Sequence, residues 1–279
     1  MSEVALPTVF YASYDAPSVD PTAAYSRDLA VDTLPLSQPD ECVRRLRASA
    51  PQPTLVVTDQ SGASALHQIT AEASLFADLA VAVSVVRLPN LASRLLTSIA
   101  TSEAHSTGLA NAVALADLAP RFLHSEVLVP TINKLDTPPP TMVQAARSLL
   151  PGSKFIVVTG ARDEVVDPAH RRLPEGFDPL ACASSAQLLP WMQTLIDDAD
   201  SRFSRVPAWE DVEPFGNERW AEIVWWDPRA VAVWSEQVRA VEFPVCYWCD
   251  NPRVRDVCAF CGCTADLSDS LTQAKGGTQ

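Results

Sequence analysis

A chain of 279 residues, 47% of them apolar, is long enough to bury one full core and a second, smaller one. Its formal charge of −13 excludes a protein whose main business is gripping nucleic-acid backbone, which needs Lys and Arg in excess. No positive segment followed by an apolar core opens the chain and no apolar run approaches bilayer-spanning length, so cytoplasmic residence without a membrane segment is expected.

In chain order, short runs of apolar and β-branched residues at 8–13, 54–58, 79–88, 127–132 and 155–159 read as strands. Amphipathic stretches at 64–77, 108–118 and 141–150 read as helices between them. That alternation predicts an α/β fold, a doubly wound and mostly parallel sheet, with residues 1–165 as one domain. Beyond it Pro168, Pro174 and Pro179 break the pattern, and a helix is expected over 184–201. Trp209, Trp220, Trp225, Trp226, Trp234 and Trp248 then crowd together, six of the seven tryptophans, and a Trp-rich helical segment over 166–240 is expected to bury them as a core. A small zinc ribbon over 241–265 and a disordered tail over 266–279 complete the expected organisation.

The ribbon rests on Cys246-x-x-Cys249 and Cys258-x-x-Cys261, two pairs separated by eight residues. Each C-x2-C pair curls into a turn that aims two thiolates at one point, and two such turns across a hairpin supply the four sulfurs of a tetrahedral, structural Zn²⁺ site. Asn251-Pro252 supplies the turn between the pairs, and Cys263 is left over. A disulfide pair or an iron site of the rubredoxin type is the alternative use of these thiols.

A second constellation lies in the expected α/β domain. Asn133-Lys134-Leu135-Asp136 follows a predicted strand and has the N-x-x-D form, N-K-x-D, with which GTPases read guanine. Upstream, the strand ending at Thr58 runs into Asp59-Gln60-Ser61-Gly62, a D-x-x-G of the kind that senses a γ-phosphate and Mg²⁺. Asp59, Gly62, Asn133, Lys134 and Asp136 are therefore the candidate nucleotide-contacting residues. The same Asp59 and Ser61 also suit plain capping of the following helix, with Gly62 permitting the turn.

In these motifs and their order the chain resembles the CobW family of metallochaperone-type GTPases over residues 40–160. The resemblance extends to Leu115-Ala116-Asp117 and to the run Pro214-Phe215-Gly216-Asn217-Glu218-Arg219-Trp220. It implies a P-loop-GTPase-like fold and a link to zinc homeostasis. The chain departs from that family where the phosphates would bind: residues 11–20 hold no glycine and no lysine but carry Asp15 and Asp20, and a lone Cys42 stands where the family has a cysteine-rich metal motif. The run 59–64 also resembles the metal-adhesion loop of von Willebrand factor A domains, with 107–112 as its second element.

The function expected from the sequence is accordingly a non-catalytic zinc-binding adaptor on a degenerate GTPase-like domain. Its tryptophans and the hairpin arginines Arg253 and Arg255 would face a protein partner or a ribonucleoprotein such as the translation machinery through the C-terminal end. A divergent CobW-like GTPase and a von Willebrand-type adhesion module are the alternatives.

Overall fold

A computed structural model describes residues 7–13, 31–74, 79–118, 121–160, 162–172, 174–186, 188–198, 204–207, 213–229, 233, 236, 242–247, 249–261 and 263. Two sheets share the chain. The first is entirely parallel, in the order β2-β1-β3-β4, from β1 (Thr8–Ser13), β2 (Asp32–Pro35), β3 (Thr54–Asp59) and β4 (Val81–Val86). Its strands are almost continuously apolar, as strands buried on both faces must be. Phe10, Leu34 and Val56 pack under α1 (Pro39–Ser49) and α2 (Ala63–Ser74), whereas Val9, Leu55 and Val57 face the opposite side.

On that opposite side lie α3 (Asn90–Thr107) and α4 (Leu109–Leu118), and a short α5 (Met142–Arg147) comes later in the chain. The first turns of α3 are buried all round, from Leu91 to Thr97, because the helix is clasped between two sheets. Ser93 and Thr97 can sit there because their hydroxyls donate to backbone carbonyls at Leu88 and Ser93.

The second sheet closes the sandwich. It joins β5 (Leu123–Val129), β6 (Phe155–Gly160), β7 (Glu164–Val166), β8 (Asp178–Ser184), β9 (Ser204–Pro207) and β10 (Ala221–Trp226) in the order β7-β6-β5-β10-β8-β9. All its pairings are antiparallel except β8 with β9. Val127, Val129, Val157 and Val224 face α3 and α4, while Leu128, Ile156, Ile223 and Trp225 face α6 (Pro190–Asp198) through Met192 and Trp191. On this outer face Arg171 forms an ion pair of 2.6 Å with Glu126 and stacks 3.6 Å over the Trp191 ring, and His124 Nε2 lies 3.3 Å from the same carboxylate.

The architecture is thus α/β, with one parallel and one largely antiparallel sheet, and the single doubly wound sheet is corrected. The runs expected at 127–132 and 155–159 do not extend the first sheet: a two-helix layer separates them from it, they pair antiparallel with each other, and β5 pairs antiparallel on its other side with β10 from beyond residue 165. The helix expected over 184–201 is shorter, since Ser184 ends β8 and α6 begins at Pro190. Trp220 and Trp225 are buried as expected, while Trp209, Trp234 and Trp248 fall outside the described residues, as do 14–30 and the tail 264–279. No helix among the described residues is long and apolar enough to cross a membrane.

Candidate functional site

Parallel strands leave their carboxyl ends open, and the loops there frame a crevice. Here the crevice, a cavity of about 420 Å³, lies between the carboxyl ends of β3 and β4, the loop after β5 and the turn at 213–215. Val86, Leu88, Leu135 and Phe215 give it apolar walls, and Tyr11, Ser61, Lys134 and Thr159 give it polar groups.

Each wall has a local cause. Asp59 ends β3, and its Oδ1 accepts from Ser61 Oγ at 2.6 Å and from the Gly62 N–H at 2.8 Å, which turns the chain into α2. Gly62 is required there because a Cβ would stand 2.4 Å from Thr58 Oγ1 and 2.6 Å from Leu36 Cδ1. Tyr11 is buried and donates to Asn90 Oδ1 at 3.0 Å; burial pushes its pKa above the ordinary value, so the phenol stays protonated. The turn at 213–217 carries left-handed backbone at Phe215 (φ 55) and Gly216 (φ 70). Asn217 holds it, donating from Nδ2 to the carbonyls of Thr131, Pro214 and Phe215.

Lys134 lies flat across this turn. A Cβ on Gly216 would fall 2.6 Å from Lys134 Cδ and 3.2 Å from Nζ, so the absence of that atom is what lets the ammonium into the cleft. It forms no ion pair with any described residue. Deeper in, Thr159 is buried with its hydroxyl unpartnered among the described residues. Asp59, Asp136, Asp163 and Glu213 also line the cleft, so Lys134 and Arg87 are its cationic points in an acidic rim.

Of the residues singled out from sequence, Asp59, Lys134 and Asp136 therefore meet at one cleft. Asn133 does not join them: its side-chain oxygen accepts from Ser148 Oγ at 2.5 Å. Gly62 acts through the α2 turn. Tyr11, Asn90 and Thr159 were not singled out from sequence, since a tyrosine or threonine inside an apolar strand reads as core, and Phe215 entered only through the family resemblance.

The four cysteines lie outside the cleft, beside the β4 edge. The Sγ atoms of Cys246, Cys249, Cys258 and Cys261 all fall within 4.8 Å of one another, a group that can hold a metal ion. Cys246 to Cys261 and Cys249 to Cys258 each measure 3.7 Å, so no disulfide joins them. Cys263 contributes through its backbone, its carbonyl accepting from the Cys258 N–H at 2.9 Å.

No protein-family model and no curated protein matches the chain. Among solved structures it is similar to the DegV family protein Cg2579 from Corynebacterium glutamicum, at 13% identity and TM-score 0.56 over 80% of this chain and 99% of that one. The fold is that of the DegV proteins. A DegV family protein from Thermus thermophilus, described for its fatty acid binding, matches at 10% identity and TM-score 0.55 over 80% of this chain and all of that one.

The DegV fold corrects the CobW reading. It is not a P-loop GTPase fold, and the N-K-x-D and D-x-x-G segments belong to two different sheets here, with Asn133 turned away from the cleft. The zinc adaptor built on a degenerate GTPase domain, the divergent GTPase and the von Willebrand-type module fall with it, since all three presupposed another fold.

Proposed function

We propose that this chain binds a fatty acid in the cleft between its two sheets, with the alkyl chain along Val86, Leu88, Leu135 and Phe215 and the carboxylate on Lys134. The observation that carries the reading is the lysine ammonium held over Gly216 in a cleft with apolar walls at Val86, Leu88, Leu135 and Phe215, in a fold that a fatty-acid-binding protein shares. Burying about ten methylenes contributes on the order of 8 kcal/mol, enough to offset much of the cost of immobilising a flexible chain. The acidic rim disfavours an anion elsewhere in the cleft and so directs the head group to Lys134. The Thr159 hydroxyl, unpartnered among the described residues, lines the same cleft.

Titration of the delipidated protein with a fluorescent long-chain fatty acid tests this. Lys134→Ala is expected to weaken the carboxylate about tenfold while leaving the matching fatty alcohol unaffected. Absence of saturable binding by the unmodified protein overturns the reading.

We infer further that the four thiols hold a structural Zn²⁺. A tetrahedron with Zn–S arms of about 2.3 Å has edges of about 3.8 Å, which the two 3.7 Å sulfur separations match. Cytoplasmic residence, where thiols stay reduced, suits the same assignment. Elemental analysis checks it, and iron in place of zinc would refute it.

A further inference from the structure

β4 is an edge strand of the parallel sheet, and its sequence, Val81-Ala82-Val83-Ser84-Val85-Val86, carries no charge, no proline and no glycine. Such a strand is a template for pairing with another chain, and proteins blunt it with lysine, proline, a bulge or a covering element. Here the cysteine knuckle is the cover. The Val83 N–H donates to the Ala259 carbonyl at 3.3 Å, and the Val83 carbonyl accepts from Arg255 Nη2 at 3.3 Å. Arg255 is anchored in turn by Asp117, whose carboxylate lies 2.7 Å from its Nε and also accepts from Ser84 Oγ at 2.9 Å.

Arg255 and Ala259, on either side of Cys258, thus both touch the middle of β4. Phe243, Val254, Ala259 and Phe260 pack against the same central core as the strand, so the cover is seated as well as hydrogen-bonded. Backbone groups alternate along a strand, so those of Val81 and Val85 point outward as those of Val83 do. Val85 itself is 43% exposed. The knuckle sits between those positions, and within it four thiols converge on one point.

We propose, resting on the zinc reading above, that the metal-held knuckle is the cap of the β4 edge, and that loss of the metal frees this edge to pair with β4 of a second copy of the chain. A second copy is the fitting partner because two uncharged, valine-rich edges related by a two-fold axis offer each other the same unpaired donors and acceptors.

The test compares the full chain before and after zinc removal by a chelator, read by light scattering on a sizing column and by hydrogen exchange. The zinc-loaded protein is expected as a single chain. Stripped of zinc, its mass is expected to rise twofold or more while the amides of residues 254–261 lose protection. Val85→Lys, which sets a charge on the edge without touching a thiol, is expected to release zinc in the same way yet remain a single chain. Zinc present but no mass change on its removal overturns the edge cap alone, as does association that Val85→Lys leaves intact or a zinc-loaded protein already associated. Protein purified without zinc overturns the metal reading and the cap together.

Discussion

Glu222 of the second sheet accepts the Ala92 N–H of α3 at 3.0 Å, while its other oxygen accepts from Leu91 at 3.1 Å and Ser125 Oγ adds a third hydrogen bond of 3.0 Å. A fully buried carboxylate therefore ties the antiparallel sheet to the amino end of the helix that the parallel sheet also packs against. The helix terminus favours negative charge there. Burial is the larger effect and pushes the carboxyl up from its ordinary 4.5 to about 7, with the Ala92, Leu91 and Ser125 hydrogen bonds pulling the other way.

Because the folded-state pKa lies above the unfolded one, the protonated form is the one that folding favours. Its contribution is complete below the ordinary value of 4.5 and is lost as pH rises through about 7. Stability should fall by on the order of 3 kcal/mol across that window, at roughly 1.4 kcal/mol per pH unit. Urea titrations at about pH 5 and about pH 8 should show this difference in the unmodified protein and a much smaller one in Glu222→Gln. An equal difference in the variant would assign the slope to other groups.

Replacing Gly216 by Ala should disturb the cleft without altering a charged residue. The new Cβ meets Lys134 Cδ at 2.6 Å, and the backbone there is left-handed at φ 70. A stability cost of about 1 kcal/mol is expected, together with fatty acid affinity reduced about tenfold as the ammonium is pushed from its seat. Unchanged affinity in the same titration would remove Lys134 from the head-group site.

Arg171→Leu should be strongly damaging. Glu126 is 2% exposed and Arg171 is its buried counter-charge, stacked on Trp191. Leaving that carboxylate with only the more distant His124 beside it costs up to about 3 to 5 kcal/mol, seen as a lower urea midpoint. The double variant Arg171→Leu with Glu126→Leu should recover a large part of the loss, because a buried pair is costly mainly when half of it remains. A double variant no more stable than the single one would contradict this account.

Much of the strand layout was legible. Residues 8–13, 54–58 and 155–159 are strands where apolar β-branched runs stand, because such runs are what a sheet buried on both faces demands. The longest helix, α3, went unread, although Leu91, Leu95 and Leu96 carry its period. Its interleaved serines and threonines mimic a loop, and they are tolerated only because their hydroxyls bond back to the helix backbone.

By itself, the sequence determined the convergence of Cys246, Cys249, Cys258 and Cys261, because two short turns across one hairpin bring the thiols together locally. It also determined the Asp59–Gly62 turn, a matter of hydrogen bonds three residues apart. The sheet each strand joins was settled by long-range pairing that strands of similar apolar character do not encode one by one. The cleft has the same origin: Tyr11, Lys134, Thr159 and Phe215 lie far apart in the chain, and only the stacking of two sheets about α3 brings them around one cavity.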